Sequence, residues 1–213
     1  MDYKNKIKYY EIEDSLHERM RTGEAITKKN SKPMSKIKLL SLLIVISLSS
    51  FAQTKMLTKT GKITFEASVP AFEEVKAKNE SVTCVLNPST GEFASLVLIK
   101  GFRFKVALME EHFNENYMES DSYPKATFKG KIDNFDVSKL TETAKAYTIK
   151  GKMEMHGKSK DISITASIKK SSNGIEIDSD FSLNTDDYGI EIPSVVSKKV
   201  SKKVAVKLDA TLK

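Results

Sequence analysis

Eight runs of alternating apolar and polar residues fill most of the chain after residue 60 and leave little room for other secondary structure. The runs lie at residues 63–69, 82–86, 96–106, 126–132, 147–155, 162–168, 175–183 and 204–212. Alternation of period two predicts strands with one apolar and one wet face, a pattern typical of antiparallel sheets. Strands without a helical layer must bury their apolar faces on each other. Either a closed barrel or a two-sheet sandwich satisfies this requirement.

Turn signals separate several of these runs. They lie at residues 87–91, 156–158 and 171–174, where Asn, Gly, Pro and Ser are concentrated. Helix is predicted only for one or two short segments, at Val69–Lys76 and Val106–Phe113. The alternation is lost from Leu108 to Tyr123. A connection of that size between strands is more often a lid or a binding loop than a simple linker.

The front of the chain has the pattern of a targeting segment. A short basic start is followed by the apolar run Leu39–Leu48 and by small residues at Ser50 and Ala52. This order describes a secretory signal peptide. The apolar run is short for a membrane span, which needs about twenty residues. A signal anchor with a cytoplasmic tail is the alternative interpretation.

These features predict the organisation of the chain. Residues 1–33 are an extension upstream of the natural start or a disordered tail, residues 34–52 are the signal peptide, and residues 53–213 are one β-barrel domain. We expect cleavage after Ala52 and a periplasmic or secreted protein. No cysteine lies near the cleavage site to carry a lipid.

The charge balance does not favour a nucleic-acid partner. Residues 1–53 hold ten of the 35 Lys and Arg and six of the 28 Asp and Glu, which leaves 25 against 22 and a net charge of +3. Nucleic-acid binding would need a clustered basic face. The dense basic run, Lys198–Lys203, is more typical of a protected strand edge. It would also suit transient contact with an anionic membrane surface.

The sequence offers little to support catalysis. His112 and His156 are the only histidines after residue 52, and neither has the spacing of a metal site. Glu110 and Glu111 precede His112 and suggest a base with its orienting group, but a nucleophile and a third partner are missing. A hydrolase acting through His112 is therefore the weakest hypothesis. We predict no enzyme, no metal and no cofactor. Cys84 lies on an apolar alternation, where it packs as a small hydrophobe.

Two glycines on the apolar strand faces bear on whether the interior is filled. Gly130 and Gly151 lie in the middle of strands, where glycine packs nothing and costs backbone entropy. They indicate either space for a bound molecule or a sharp bend, and the residues alone leave both open. In the run 96–106 the apolar face is predicted to hold Leu96, Leu98, Phe102, Phe104 and Val106. Gly101 lies on the opposite parity and predicts a β-bulge, which leaves the facing of Phe102 and Phe104 relative to Leu96 and Leu98 open.

A family resemblance covers roughly residues 60–212. Its most informative segments are His112-Phe113, Met118-Glu119-Ser120, Tyr123-Pro124, Ala126-Thr127-Phe128, Gly151 to Gly157 and Asp187 to Ile190. In their order and spacing they resemble the YceI-like proteins. The resemblance implies an extended eight-stranded antiparallel, lipocalin-like barrel with a long apolar channel. It also implies a secreted protein that holds a polyisoprenoid, an isoprenoid quinone or a fatty-acyl lipid. A homodimer is compatible with this class.

Strand parity and the resemblance together predict the residues of the ligand site. The predicted ligand-binding residues are Phe102, Phe104, Leu108, Met109, Phe113, Phe128, Ile149, Gly151, Met153, Phe181 and Tyr188. His112 and Arg103 are predicted head-group contacts. The chain departs from the family at Thr185-Asp186, where an Arg is common, so the head group is not fixed by the resemblance. The rival hypothesis is a structural or stress-response interaction protein whose barrel is filled by side chains.

Overall fold

The computed structural model describes residues 55–213; the predicted extension and signal peptide, residues 1–52, lie outside the described residues. The strands are β1 (Met56–Ser68), β2 (Lys76–Leu86), β3 (Glu92–Leu98), β4 (Arg103–Phe104), β5 (Lys125–Ile132), β6 (Lys145–Met155), β7 (Lys158–Ser171), β8 (Gly174–Asn184) and β9 (Val200–Leu212). The sheet order is β1-β9-β8-β7-β6-β5-β3-β2, and β2 pairs back onto β1. All of these pairings are antiparallel. The predicted eight-stranded barrel is therefore confirmed, and closure leaves no free edge among its long strands.

In the part of the chain from residue 55 to residue 213, helix is confined to short segments between strands. Helix α1 spans Ala107–His112 and continues as one π-helical turn over Phe113–Tyr117. Short 3₁₀ turns occur at Ile99–Gly101, Val137–Lys139 and Thr185–Tyr188. The predicted short helix at residues 106–113 is confirmed. Across residues 55–213 no helix is both long enough and apolar enough to span a membrane.

The other predicted helix, at Val69–Lys76, does not form. The amide of Phe72 donates to the carbonyl of Val69 at 3.1 Å, which makes a tight turn before β2 begins. Ala71 has a φ of 72°. A residue in this left-handed region cannot continue a right-handed helix.

The third alternating run is interrupted, and Leu98 and Phe102 do not share one face. Leu98 is 56% exposed, whereas Val97 and Ile99 are buried. The 3₁₀ turn that starts at Ile99 replaces the β-bulge predicted at Gly101. This turn changes which residues of the run face the barrel interior, so that Phe102 is buried although Leu98 is not.

Gly130 and Gly151 mark a close approach of two strands. They pair directly across β5 and β6. A Cβ on Gly130 would lie 2.6 Å from the carbonyl oxygen of Lys150, and one on Gly151 would meet the carbonyl oxygen of Lys129. Backbone atoms therefore occupy the space that a side chain would need. Glycine at both positions permits this close approach, and the side-chain position of Gly151 meets the neighbouring backbone instead of open space.

The predicted turn at residues 156–158 is a two-residue hairpin between β6 and β7. His156 and Gly157 both have positive φ, 51° and 71°, as a type I′ turn requires. The Nδ1 of His156 donates to the carbonyl oxygen of Tyr188 at 3.1 Å. The imidazole also packs on Tyr123, with ring centroids 4.6 Å apart. This hairpin thus holds the β8–β9 connection against the end of the barrel.

One half of the barrel is filled by side chains, and we call it the filled half. Its fully buried members include Val82, Cys84, Leu86, Ile132, Ile149, Ala166, Ile168, Ile175, Ile177 and Leu212. The β5–β6 loop contributes Leu140, which is buried, and Phe135, which packs against the same cluster. This loop therefore closes that end of the barrel.

Candidate functional site

The opposite half of the barrel contains an apolar cavity of about 260 Å³, and we call it the hollow half. It lies where β1, β3, β6 and β8 end and where β5 and β9 begin. Its wall includes Ile63, Phe65, Val97, Phe102, Phe104, Phe128, Met153, Met155, Phe181, Leu183, Val204 and Val206. Met109, His112, Phe113 and Tyr117, from α1 and the π-helical turn, lie over its mouth. The cavity is thus enclosed by strands on its sides and partly covered by a helix.

Among residues 55–213, no Asp, Glu, Lys or Arg side chain lines the cavity. The hydroxyl of Thr127 donates to the Glu154 carboxylate at 3.2 Å, and the hydroxyl of Ser201 donates to the carbonyl of Lys203 at 2.8 Å. These two hydroxyls are therefore satisfied by protein groups. Such a lining removes apolar surface from water, and apart from the imidazole of His112 at the mouth it offers no counter-charge to an ion.

Four phenylalanines form an aromatic cluster beneath the mouth. Phe65 contacts Phe102, Phe104 and Phe113 at centroid distances of 5.1, 5.7 and 5.2 Å. Phe113 also packs on Phe102 and Phe104, at 5.7 and 5.2 Å. Offset and edge-to-face pairs of this kind add to the free energy of simple apolar burial. The cluster therefore fastens the π-helical turn to β1 and β4.

A carboxylate holds α1 to the barrel. Glu110 accepts one hydrogen bond from Arg103 Nη1 at 3.0 Å and another from the amide of Phe104 at 3.1 Å. Arg103 also donates to the carbonyl oxygen of Phe102 at 3.0 Å. The guanidinium and the Glu110 carboxylate are thus both engaged in positioning the helix. Glu110 cannot orient His112 while it makes these bonds.

A surface ion pair lies beside this helix. Lys105 Nζ is 2.6 Å from a carboxylate oxygen of Glu74, in the β1–β2 loop. The hydrogen bond and the charge of Lys105 lower the pKa of Glu74, and the same contact raises the pKa of Lys105. Both groups are exposed, so this pair contributes little to stability. It does connect the β1–β2 loop to the segment that enters α1.

Buried polar groups collect around the β8–β9 connection. Tyr188 is fully buried and its hydroxyl has no hydrogen-bond partner. Burial, and secondarily the charge of Asp187, raises the pKa of Tyr188 to about 12. The Nε2 of His156 lies 3.4 Å from the Glu119 carboxylate without the geometry of a hydrogen bond. Thr185 is 9% exposed and its hydroxyl is likewise without a partner.

The structure brings together most of the residues predicted for the ligand site. Those in the cavity lining are Phe102, Phe104, Met109, His112, Phe113, Phe128, Met153 and Phe181. The others lie elsewhere: Ile149 is buried in the filled half, Gly151 pairs with Gly130 across β5 and β6, and Tyr188 is buried in the β8–β9 connection. Leu108 and Arg103 are exposed on the outer side of the mouth.

Several lining residues were not predicted. Ile63, Phe65, Val204 and Val206 carry the same period-two signal as the predicted ones and follow from strand parity. Thr185 carries no such signal, because it belongs to a 3₁₀ turn. Within residues 55–213, no three His, Cys, Asp or Glu side chains are grouped to hold a metal ion.

A closed antiparallel barrel with an apolar cavity at one end has the architecture of the lipocalin-like barrels. The chain belongs to the YceI-like domain family, whose family model matches residues 47–212. This confirms the resemblance found in the sequence. No curated protein matches the chain significantly.

Solved structures show the same fold at low sequence identity. A polyisoprenoid-binding domain from Saccharophagus degradans has a TM-score of 0.66 and 15% identity, covering 75% of this chain and 97% of that one. BcnA of Burkholderia cenocepacia has a TM-score of 0.58 and 14% identity, with coverage of 71% and 94%. The YceI protein of Campylobacter jejuni has a TM-score of 0.52 and 16% identity, with coverage of 68% and 89%. These structures support the fold assignment.

Proposed function

We propose that this protein is an exported, non-enzymatic carrier that holds an apolar chain in the hollow half of its barrel. The observation that carries the proposal is the cavity of about 260 Å³ whose lining has no charged side chain of the Asp, Glu, Lys or Arg type. Burial of an apolar ligand there gains roughly 25 cal/mol per Å² before the cost of ordering. The description of the Saccharophagus degradans domain as polyisoprenoid-binding supports an isoprenoid ligand.

The size of the hollow half limits how the ligand is held. The lining along β9 runs from Val200 to Val206, about 20 Å of strand at about 3.3 Å per residue. The rest of β9 belongs to the filled half. The cavity therefore follows only part of β9 and is shorter than the barrel. A long isoprenoid or acyl chain must fold inside the cavity or leave part of its length outside.

Native mass spectrometry followed by solvent extraction tests the proposal directly. We expect an isoprenoid or acyl compound to co-purify at close to one per protein. Met153→Arg places a charge in the cavity and should abolish uptake, because the lining offers it no partner. Ser163→Arg is the matched control, since this exposed residue of the neighbouring strand β7 does not line the cavity. A protein that stays free of ligand after incubation with quinones, polyprenols and fatty acids would refute the carrier function.

Export rests on the sequence pattern of residues 34–52. The test is the intact mass and the N-terminal sequence of the protein recovered from the periplasm or the medium. A mature form that begins at Gln53 is expected. A form that retains the apolar run Leu39–Leu48 would support the signal anchor instead.

Exposed apolar residues near the rim of the cavity favour loading of the ligand from a membrane surface. Phe72 and Val195 are 47% and 87% exposed. Phe72 lies three residues before the lining residue Val75, and Val195 lies three residues after the lining residue Ile192. Exposed apolar tips beside a lipid cavity suit transient insertion between head groups. Flotation with phosphatidylglycerol vesicles should carry the wild type upward and leave the Phe72→Asp/Val195→Asp variant at the bottom. Equal flotation of both would refute this contact.

A further inference from the structure

Three segments that border the cavity meet at one imidazole, that of His156. This residue follows the lining residue Met155 at the tip of the β6–β7 hairpin. Its Nδ1 lies 3.1 Å from the carbonyl oxygen of Tyr188, in the 3₁₀ turn that leads to the lining residue Ile190. Its Nε2 lies 3.4 Å from a carboxylate oxygen of Glu119, two residues after the π-helical turn. The imidazole therefore connects the cover of the cavity to two parts of its wall.

The backbone holds His156 and Glu119 so that their side chains face each other. Both residues have positive φ, 51° for His156 and 43° for Glu119. This left-handed conformation is uncommon outside glycine and costs free energy. The carbonyl oxygen of Glu119 accepts from the amides of Ser122 and Tyr123 at 2.8 and 2.9 Å. The ring of Tyr123 in turn packs on the imidazole. The two turns that carry the pair are therefore fixed by bonds of their own.

The contact between His156 and Glu119 lacks one proton. The carbonyl oxygen of Tyr188 can only accept a hydrogen bond, so the hydrogen of a neutral imidazole is on Nδ1. Nε2 then presents a lone pair to a carboxylate that also only accepts. Nε2 is buried and has no hydrogen-bond partner. Protonation of Nε2 would turn two facing acceptors into a charge-assisted hydrogen bond. The side chain of Glu119 is 54% exposed, so it can rotate to meet the new donor.

The elements packed against this imidazole also carry other ionisable side chains, namely Asp121, Tyr123, Glu154, Lys158, Lys160, Asp187 and Tyr188. Each of the three carboxylates has a partner within residues 55–213. Burial, and secondarily the charge of Asp187, raises the pKa of Tyr188 to about 12, so its phenol stays neutral. Lys158 extends over Gly189, where a Cβ would lie 2.6 Å from the ammonium nitrogen. Histidine is the side chain whose ordinary titration falls between about pH 5 and pH 8. Proton uptake by His156 is therefore the charge change that this cluster offers in that range.

We infer that His156 and Glu119 form a pH-dependent latch on the cavity mouth, closed when the imidazole is protonated and loosened when it is neutral. This control of ligand retention rests on the carrier function proposed above. The closed latch ties the segment after the π-helical turn to the β6–β7 hairpin and to the 3₁₀ turn at residues 185–188. Its stabilisation is present on the acidic side of the imidazole titration and is lost as the pH rises through it. The protein thus retains its ligand in acid and releases it faster at alkaline pH.

Hydrogen exchange on the protein without ligand tests the latch itself. All proteins carry His112→Gln, so that His156 is the only histidine after residue 52. After correction for intrinsic rates, the protection of residues 113–123 and 185–190 should fall about three- to tenfold from pH 5.5 to pH 8, as expected for the loss of one hydrogen bond. The protection of the filled half should not change. Equal protection of both segments at the two pH values would overturn the inference.

Two substitutions remove the latch and leave the turns intact. His156→Asn cannot take up the proton, and it provides the Asn-Gly pair that type I′ turns favour. Glu119→Gln keeps the shape of the side chain and removes its charge. In both variants the protection should no longer depend on pH. Glu115→Gln is the matched control, because this exposed carboxylate of the π-helical turn has no partner within residues 55–213. A pH dependence that persists in Glu119→Gln would overturn the latch.

Release of a bound probe separates the latch from the carrier function. The probe is N-phenyl-1-naphthylamine, a fluorescent apolar compound that is uncharged at both pH values. Its dissociation should be about three- to tenfold faster at pH 8 than at pH 5.5, and equally fast at both in His156→Asn. If the probe binds and leaves at the same rate at both pH values, the carrier function stands and the latch is wrong. If no probe binds, the carrier function fails and control of retention fails with it, whatever the exchange data show.

Discussion

The filled half and the hollow half are built from the same strands and differ in what occupies the space between them. On β6, Ile149 is fully buried in the filled half, whereas Met153, four residues farther along the strand, lines the cavity. The two residues are about 13 Å apart along the strand at about 3.3 Å per residue. On β8, Ile177 and Leu183 show the same contrast. Inward-facing residues are therefore packed against other side chains in the filled half and border the cavity in the hollow half. Only in the hollow half is apolar surface left available for a partner molecule.

The connections at the two ends explain the difference. At the filled end, Leu140 and Phe135 of the β5–β6 loop pack into the barrel. At the hollow end, α1 lies over the mouth and is held at the edge by Glu110 and by the phenylalanine cluster. A loop that inserts apolar side chains fills the interior, whereas a helix that bridges the rim encloses a space. The two models weighed from the sequence, a filled barrel and a ligand barrel, each describe one half.

The largest expected contrast is in thiol reactivity. Burial raises the pKa of Cys84 from its ordinary value of 9.0 to about 12, which lowers its thiolate fraction about a thousandfold at pH 8. A cysteine placed in the hollow half by Met153→Cys, in a Cys84→Ala background, should react with a thiol reagent far faster than native Cys84. Both should react alike in concentrated urea. Equal rates in the native proteins would mean that the filled half is open to solvent.

The same pKa has a consequence for stability. Because the folded-state pKa of Cys84 lies above its ordinary value, its contribution to stability is fully present below pH 9 and is lost as the pH rises toward 12. Cys84→Ala should therefore flatten the decline in unfolding free energy over that range relative to the wild type. Parallel curves for the two proteins would contradict the assignment.

Truncating an aliphatic side chain should cost much more in the filled half. Ile177→Ala is expected to lower the free energy of unfolding by about 2–5 kcal/mol, because it leaves a cavity in a closed core. Leu183→Ala, on the same strand, enlarges a cavity that already exists, and it should cost about 1 kcal/mol. Urea denaturation of the two variants measures both values. Similar losses would show that the hollow half is packed as tightly as the filled half.

Enlarging a side chain should reduce stability in the filled half and reduce ligand uptake in the hollow half. Val82→Phe overpacks the filled half and should cost about 1–3 kcal/mol. Val206→Phe extends into the cavity, so it should leave stability nearly unchanged and reduce lipid uptake. Denaturation and probe displacement on each variant separate the two effects. Loss of uptake in Val82→Phe with normal uptake in Val206→Phe would reverse the assignment of the two halves.

The smallest effect is expected at the mouth. Glu110→Gln weakens the bonds to Arg103 and to the amide of Phe104, and it should cost about 1 kcal/mol. Hydrogen exchange of residues 107–117 should become faster while that of the barrel strands does not change. Glu111→Gln, at an exposed neighbouring position, is the control. Unchanged exchange in Glu110→Gln would mean that the phenylalanine cluster alone holds the helix.

Local patterns predicted the parts of the molecule that depend on neighbours in the chain. The strand alternation, the hairpin at His156-Gly157 and the short helix after Val106 follow from spacing and turn chemistry, and the structure contains all three. Predictions that crossed an irregular segment were less successful. The 3₁₀ turn at Ile99 shifted the phase of the third run, so that Leu98 is exposed where it was expected to face inward.

The glycine pair shows why the remaining features could not be predicted. Gly130 and Gly151 face each other only because β5 and β6 pair in one register, and their need for glycine comes from the backbone across the pair. The sequence of either strand alone allowed a cavity or a bend. Register is a long-range property that alternation by itself leaves open.

By itself, the sequence determined which residues form strands, which side of each strand is apolar and which family the chain resembles. Only the tertiary structure decided that Ile149 is buried in the filled half and that Met153, on the same strand, borders the cavity. The physical reason is that alternation depends on the local backbone, whereas free volume depends on side chains contributed by opposite walls of the barrel.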